Sequence, residues 1–103
     1  MTLENFAQLL DATGLPVAFY QFPEDEPHEP PFICYITTTP TQFAADGCVY
    51  YSGTNIQVEL YTLKKDLEAE RKIEDALKDF FYVKDEGNLD DEKMYMVTYR
   101  LTI

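Results

Sequence analysis

Ile56-Gln57-Val58-Glu59-Leu60-Tyr61-Thr62-Leu63 decides the architecture. Ile56, Val58 and Leu60 alternate with Gln57, Glu59 and Tyr61, the period of two expected of a strand with one face on a core and the other in polar surroundings. Soon after it, Asp66 can cap a helix by accepting from the amides of the following turn, and Glu68 and Glu70 sit near the positive helix end. Ala69, Ile73, Ala76, Leu77 and Phe80 then form one apolar stripe, so residues 67 to 80 read as an amphipathic helix. A half-buried strand followed by such a helix implies a sheet with that helix on its covered face.

Toward the N-terminus, Phe32-Ile33-Cys34-Tyr35-Ile36-Thr37-Thr38 is a nearly continuous apolar and β-branched run, read as a strand buried on both faces or placed centrally in its sheet. Residues 23 to 31 before it hold four prolines and four carboxylates, a composition suited to an exposed loop. Residues 17 to 22, Val-Ala-Phe-Tyr-Gln-Phe, favour a first strand, and Pro16 separates it from what precedes. Leu3, Phe6, Leu9 and Leu10 recur at helical spacing behind Thr2, with Gly14 where a left-handed C-terminal residue would sit. Residues 3 to 13 are therefore expected to be a short helix.

Between the two central strands, residues 40 to 55 alternate turn signals (Pro40, Asp46-Gly47, Ser52-Gly53) with short apolar pieces, implying an extended excursion with a short strand near 48 to 51. After the second helix, Phe81 to Lys84 reads as a short strand, Asp85 to Glu92 as an acidic loop, and Met94 to Ile103 as the last strand. In that strand Tyr95, Val97, Tyr99, Leu101 and Ile103 share one face. The expected fold class is α+β: a mostly antiparallel sheet of four to five strands packed by two helices, in one domain spanning residues 1–103. No repeat at a period of 20 to 50 residues interrupts it.

A chain of 103 residues can bury roughly 65% of its unfolded surface in one core. Eight tyrosines and seven phenylalanines supply bulky material for that core or for an interface. The formal charge of −11 disfavours contact with nucleic-acid phosphates and anionic lipid heads. Two cysteines are too few for a disulfide framework, no signal-peptide pattern opens the chain, and no apolar run approaches the roughly 20 residues that span a bilayer. These features imply a reducing, cytoplasmic setting.

No catalytic constellation emerges, and the chain is read as a non-enzyme without metal or cofactor. His28, the single histidine, lies in the proline-rich loop with no second ligand nearby. Cys34 sits inside an apolar strand as a small hydrophobe, and Cys48 follows a turn without an activating partner. Placing Gly87 at the centre of an EF-hand loop puts Tyr82 at the first ligand position, so the carboxylates of residues 85 to 92 fail the calcium pattern. The four glycines are scattered singly, excluding a phosphate cradle, and Ser52, the one serine, has no elbow motif. On the second helix, cations Arg71, Lys72 and Lys78 interleave with Glu68, Glu70, Glu74, Asp75 and Asp79, the pattern of a self-supporting exposed face. What remains distinctive is aromatic. Tyrosine is enriched where subunits meet, and long excursions are often functional, so Phe43, Tyr50, Tyr51 and Asn55 are the candidate subunit interface.

Several segments together resemble the tail terminator and head–tail joining proteins of siphophages and prophages of Gram-positive bacteria. They are Leu15-Pro16-Val17-Ala18-Phe19-Tyr20-Gln21-Phe22-Pro23, Pro30-Pro31-Phe32-Ile33-Cys34-Tyr35, Asn55-Ile56-Gln57-Val58-Glu59-Leu60-Tyr61-Thr62 with Lys64-Lys65-Asp66, and Glu92-Lys93-Met94-Tyr95-Met96-Val97-Thr98-Tyr99. The resemblance implies an α+β subunit that assembles as a ring, usually of six copies, ends tail-tube growth and docks the head connector. Its implied partners are further copies of itself, the tail-tube protein and the connector protein, in the bacterial host cytoplasm during assembly and then in the virion. It brings no catalytic residues. The alternative is an acidic DNA mimic that inhibits a host nucleic-acid-binding enzyme, which would need carboxylates in rows on one face.

Overall fold

In the computed structural model the described residues are 1–22, 29–38, 41–45, 48–89 and 94–103, with the backbone path alone for 41–45 and 48–52. The elements are α1 (Leu3–Asp11), β1 (Val17–Phe19), β2 (Phe32–Thr37), β3 (Thr41–Ala45), β4 (Cys48–Gly53), β5 (Asn55–Thr62), α2 (Leu67–Ala76), β6 (Tyr82–Leu89) and β7 (Met94–Thr102). Five strands form one sheet in the order β1-β2-β5-β7-β6, antiparallel except for the β1–β2 pair, while β3 and β4 form a separate two-stranded sheet. The fold is α+β.

The alternation in β5 is realised in full. Ile56, Val58, Leu60 and Thr62 are buried, and the residues between them are half-exposed. The register sets Leu60 between Ile33 of β2 and Val97 of β7, and Val58 between Tyr35 and Tyr99, so three strands contribute to one continuous apolar face. Phe6 and Leu10 of α1, with Ala69 and Ile73 of α2 and the adjoining Leu77, complete the core over it. Burial of each such large side chain contributes about 1.5–3 kcal/mol. Phe80 meets Phe6 edge to face at 5.9 Å, packing the segment after α2 against the middle of α1.

Both helices are capped as their sequences imply. The Asn5 amide donates to the Thr2 hydroxyl and the Ala69 amide to the Asp66 carboxylate, each at 3.1 Å. α1 stops at Asp11, followed by amide bonds from Thr13 and Gly14 to the carbonyls of Leu10 and Asp11 and by Gly14 at φ 83°. That left-handed conformation suits glycine because it has no Cβ to clash. α2 is shorter than its apolar stripe: Leu77 leaves helical geometry, and residues 77–79 form a turn that still carries Leu77 and Phe80 to the core.

Three expectations about strands need correction. The first strand ends at Phe19 because Tyr20 adopts φ 68° and the Gln21 amide turns back to the Phe19 carbonyl at 2.9 Å, a three-residue turn. The acidic segment from Asp85 is not all loop, since β6 continues to Leu89 in register with β7. The excursion after β2 holds two strands, β3 and β4, where one short strand was expected. β2 satisfies the placement alternative, lying inside the sheet between β1 and β5. Its Phe32 and Ile36 are half-buried on the face away from the helices, where Phe32 stacks on Tyr61 at 5.0 Å and meets Phe22 edge to face at 5.5 Å.

Candidate assembly interface

Three of the four predicted interface residues fall on the β3–β4 hairpin. Its strands flank Asp46-Gly47, a dipeptide suited to tight hairpin connections. The register pairs Phe43 with Tyr51 and Ala44 with Val49, leaving Tyr50 as the extra residue of a bulge. Asn55, the fourth, begins β5 in the main sheet and accepts the Thr102 hydroxyl on its side-chain carbonyl at 2.7 Å. The hairpin and Asn55 are therefore adjacent in the chain but belong to different sheets.

The foot of the hairpin is anchored by the main sheet. The Thr38 amide donates to the Asn55 carbonyl at 2.9 Å, and Thr54 and Ile103 exchange amide–carbonyl bonds of 3.2 and 2.9 Å. Thr38, Asn55, Gln57 and Arg100 border a shallow depression of about 280 Å³ there. Beyond that foot, β3 and β4 pair with each other and with no strand of the five-stranded sheet. An isolated two-stranded hairpin is marginal in water, because two strands bury too little surface to offset the ordering of their backbone.

The outer edge of β6 pairs with no further strand among the described residues. Phe81, just before the strand, is fully exposed, and Val83 is 63% exposed; both border a groove that reaches Arg100 and Thr102 of β7. Large apolar side chains on a free edge invite pairing with another strand. The charged residues of β6 do less to oppose this than their number implies, because they are engaged within the same chain. Asp85 pairs with Arg100. Lys84 reaches Glu70 at 2.8 Å and Glu74 at 2.9 Å, and Glu86 holds Lys65 at 2.6 Å and receives the Tyr95 hydroxyl.

This network corrects the self-supporting reading of α2 for Glu70 and Glu74, while Glu68, Arg71, Lys72, Asp75, Lys78 and Asp79 are exposed as expected. Glu70 and Glu74 point at the sheet, where they meet cations from outside the helix. Glu70 is buried and takes both Lys65, at 3.0 Å, and Lys84 on one oxygen; its other oxygen has no hydrogen-bond partner among the described residues. Burial would raise the Glu74 carboxyl's pKa, but Lys84 and the Tyr99 hydroxyl, hydrogen-bonded to it at 2.9 Å each, outweigh that and hold it below the ordinary range. Burial would likewise lower the Lys84 ammonium, yet Glu70 and Glu74 raise it. Burial and the bond to Glu74 push the Tyr99 hydroxyl far up, so it stays a neutral donor. The signal in sequence was the i, i+4 spacing of Glu70 and Glu74 beside the apolar stripe, but their partners Lys65 and Lys84 lie on opposite sides of the helix in the chain.

Of the residues weighed for chemistry, Cys34 is described in full. Cys34 is buried in β2, and burial, with the Glu59 charge adding to it, pushes its thiol up to about 11, which disfavours the nucleophilic thiolate. His28 and residues 90–93 lie outside the described residues, as does the Cys48 side chain. Among the described residues, no group of three or more His, Cys, Asp or Glu is arranged to hold a metal, and no helix is long and apolar enough to cross a membrane.

The described residues thus form an α+β fold with two helices on one sheet face and a hairpin outside the main sheet. No protein-family model matches the chain, and no curated protein matches it in sequence.

Proposed function

We propose that this protein is a virion assembly protein at the head–tail junction of a tailed phage: a tail terminator that forms a ring, ends tail-tube growth and docks the head connector. The observation that carries the reading is the hairpin of Thr41–Gly53, whose strands, among the described residues, pair with each other and with no strand of the five-stranded sheet, although such a ribbon gains stability from a third strand. The resemblance of the strand and turn segments to terminator and joining proteins supplies the particular role. Tail-tube and connector proteins are then its partners, and its place is the bacterial cytoplasm during assembly and afterwards the virion.

The DNA-mimic alternative draws less support. Its rows of free carboxylates are hard to assemble when Glu70, Glu74, Asp85 and Glu86 are each held by a lysine or arginine of the same subunit. Light scattering across a concentration series, with and without the candidate tail-tube protein, tests the proposal. Rings, or an oligomer that grows with concentration or on adding tube protein, are expected. A monomer throughout, with no tube binding, would remove the assembly reading.

A further inference from the structure

The hairpin and the β6 edge belong to different sheets, and among the described residues neither is paired with a further strand. We propose that the β3–β4 hairpin of one copy docks on the outer edge of β6 of a second copy, around Phe81 and Val83, joining copies head to tail. This rests on the assembly reading above and names the contact that would build it.

Four observations lead to that pairing. A two-stranded ribbon gains stability from a third strand, and β6 is the longer free edge of the main sheet, eight residues against three for β1. The β1 edge is also cut short by the left-handed Tyr20, whereas β6 runs unbroken from Tyr82 to Leu89. Phe81 and Val83 place exposed apolar surface at the start of that edge. Electrostatics then selects the hairpin as the complementary surface. Two chains of formal charge −11 repel over most of their area, but residues 41–53 carry a single charged side chain, Asp46. The hairpin is thus a segment that can approach another copy at little Coulombic cost, and at β6 it meets Asp85 already neutralised by Arg100 and Lys84 already held by Glu70 and Glu74.

The contact is heterologous, because a ribbon from one copy meets an edge of the next. Such contacts propagate, and they close into a ring when the rotation between copies permits. A ribbon meeting a second ribbon would instead be isologous and would stop at a dimer.

Complementary variants separate these cases. One protein carries Phe81→Asp with Val83→Lys, both at exposed positions, which blocks the edge and keeps the hairpin. The other has residues 41–53 replaced by a short Gly-Ser turn, which removes the hairpin and keeps the edge. Circular dichroism and thermal melting establish that each is folded, and light scattering reads mass against concentration beside the unaltered protein. The expected result is oligomers for the unaltered protein, monomers for each variant alone, and a 1:1 heterodimer, twice the monomer mass, when the variants are mixed. If the edge variant assembles like the unaltered protein, the β6 docking is wrong while the assembly reading stands. An unaltered protein that is monomeric at every concentration but binds tube protein likewise overturns the docking alone. One that does neither overturns both. Should the edge variant be unfolded, Val83→Lys alone replaces it in the same mixture.

Discussion

Gly14 shows how little of a residue's role needs to involve neighbours. Its φ of 83° follows α1, and a Cβ added there would meet nothing within 4 Å. Gly14→Ala therefore isolates the backbone cost of a left-handed alanine, about 1 kcal/mol, from any packing change. Urea unfolding should read that loss, and Gly14→Asn should recover part of it; an unchanged midpoint for the alanine variant would mean that the turn relaxes to another conformation. Glu70 is the opposite case, a carboxylate whose place depends on others. It is 2% exposed on a helix that otherwise presents Glu68, Arg71, Lys72 and Asp75 to solvent, and two lysines from different segments converge on one of its oxygens.

At the scale of elements, charge and apolar packing divide the work of holding α2. Ala69 and Ile73 anchor the helix over β5 and β7, while Glu70 and Glu74 tie it to β6, whose inward positions carry Lys84 and Glu86 in place of apolar residues. This division gives a pH signature. Glu74 is held below its ordinary pKa, so it contributes stability that is present above the unfolded value of about 4.3 and lost as pH falls through the folded one. Lys84 is raised, so its contribution is present below about 10.4 and lost only as pH rises past its folded value. The stability difference between the unaltered protein and Glu74→Gln should accordingly be largest near neutrality and shrink below about pH 4.5. Urea curves at pH 7 and in mild acid measure it, and a difference that stays constant would detach Glu74 from the acid limb.

At the scale of the whole molecule, an excess of 19 acidic over 8 basic residues opposes every contact between copies. Raising ionic strength from about 0.01 to 0.15 M shortens the screening length from about 30 to about 8 Å, which weakens that repulsion and leaves short-range strand pairing largely intact. Self-association should therefore strengthen with salt over this range, seen as a fall in the midpoint concentration of the oligomer by sedimentation velocity. Weakening with salt would assign the contact to attractive charge pairs and would count against a nearly uncharged hairpin as its source. The molecule's principal extents, 49 × 28 × 28 Å, are elongated for a chain of this length.

Sequence alone determined the α+β class, the two helices and the core face, since local periodicity records which side of a strand or helix is buried. Ile56, Val58 and Leu60 declare β5 because a one-residue slip would turn each of them out of the core. The same logic is silent for Asp85–Leu89, an edge segment exposed for most of its length, where no buried face imposes a period. It is silent too for the β1–β2 pairing, which joins Val17 to Ile33 across the proline-rich segment. Tertiary structure decided that Glu70 and Glu74 turn inward, because their partner Lys84 is brought to them by β6 pairing with β7. It also decided that Phe43, Tyr50 and Tyr51 stand on a ribbon apart from the sheet that holds Asn55. Periodicity reports burial along one element, whereas strand order and ion pairing depend on which distant segments meet.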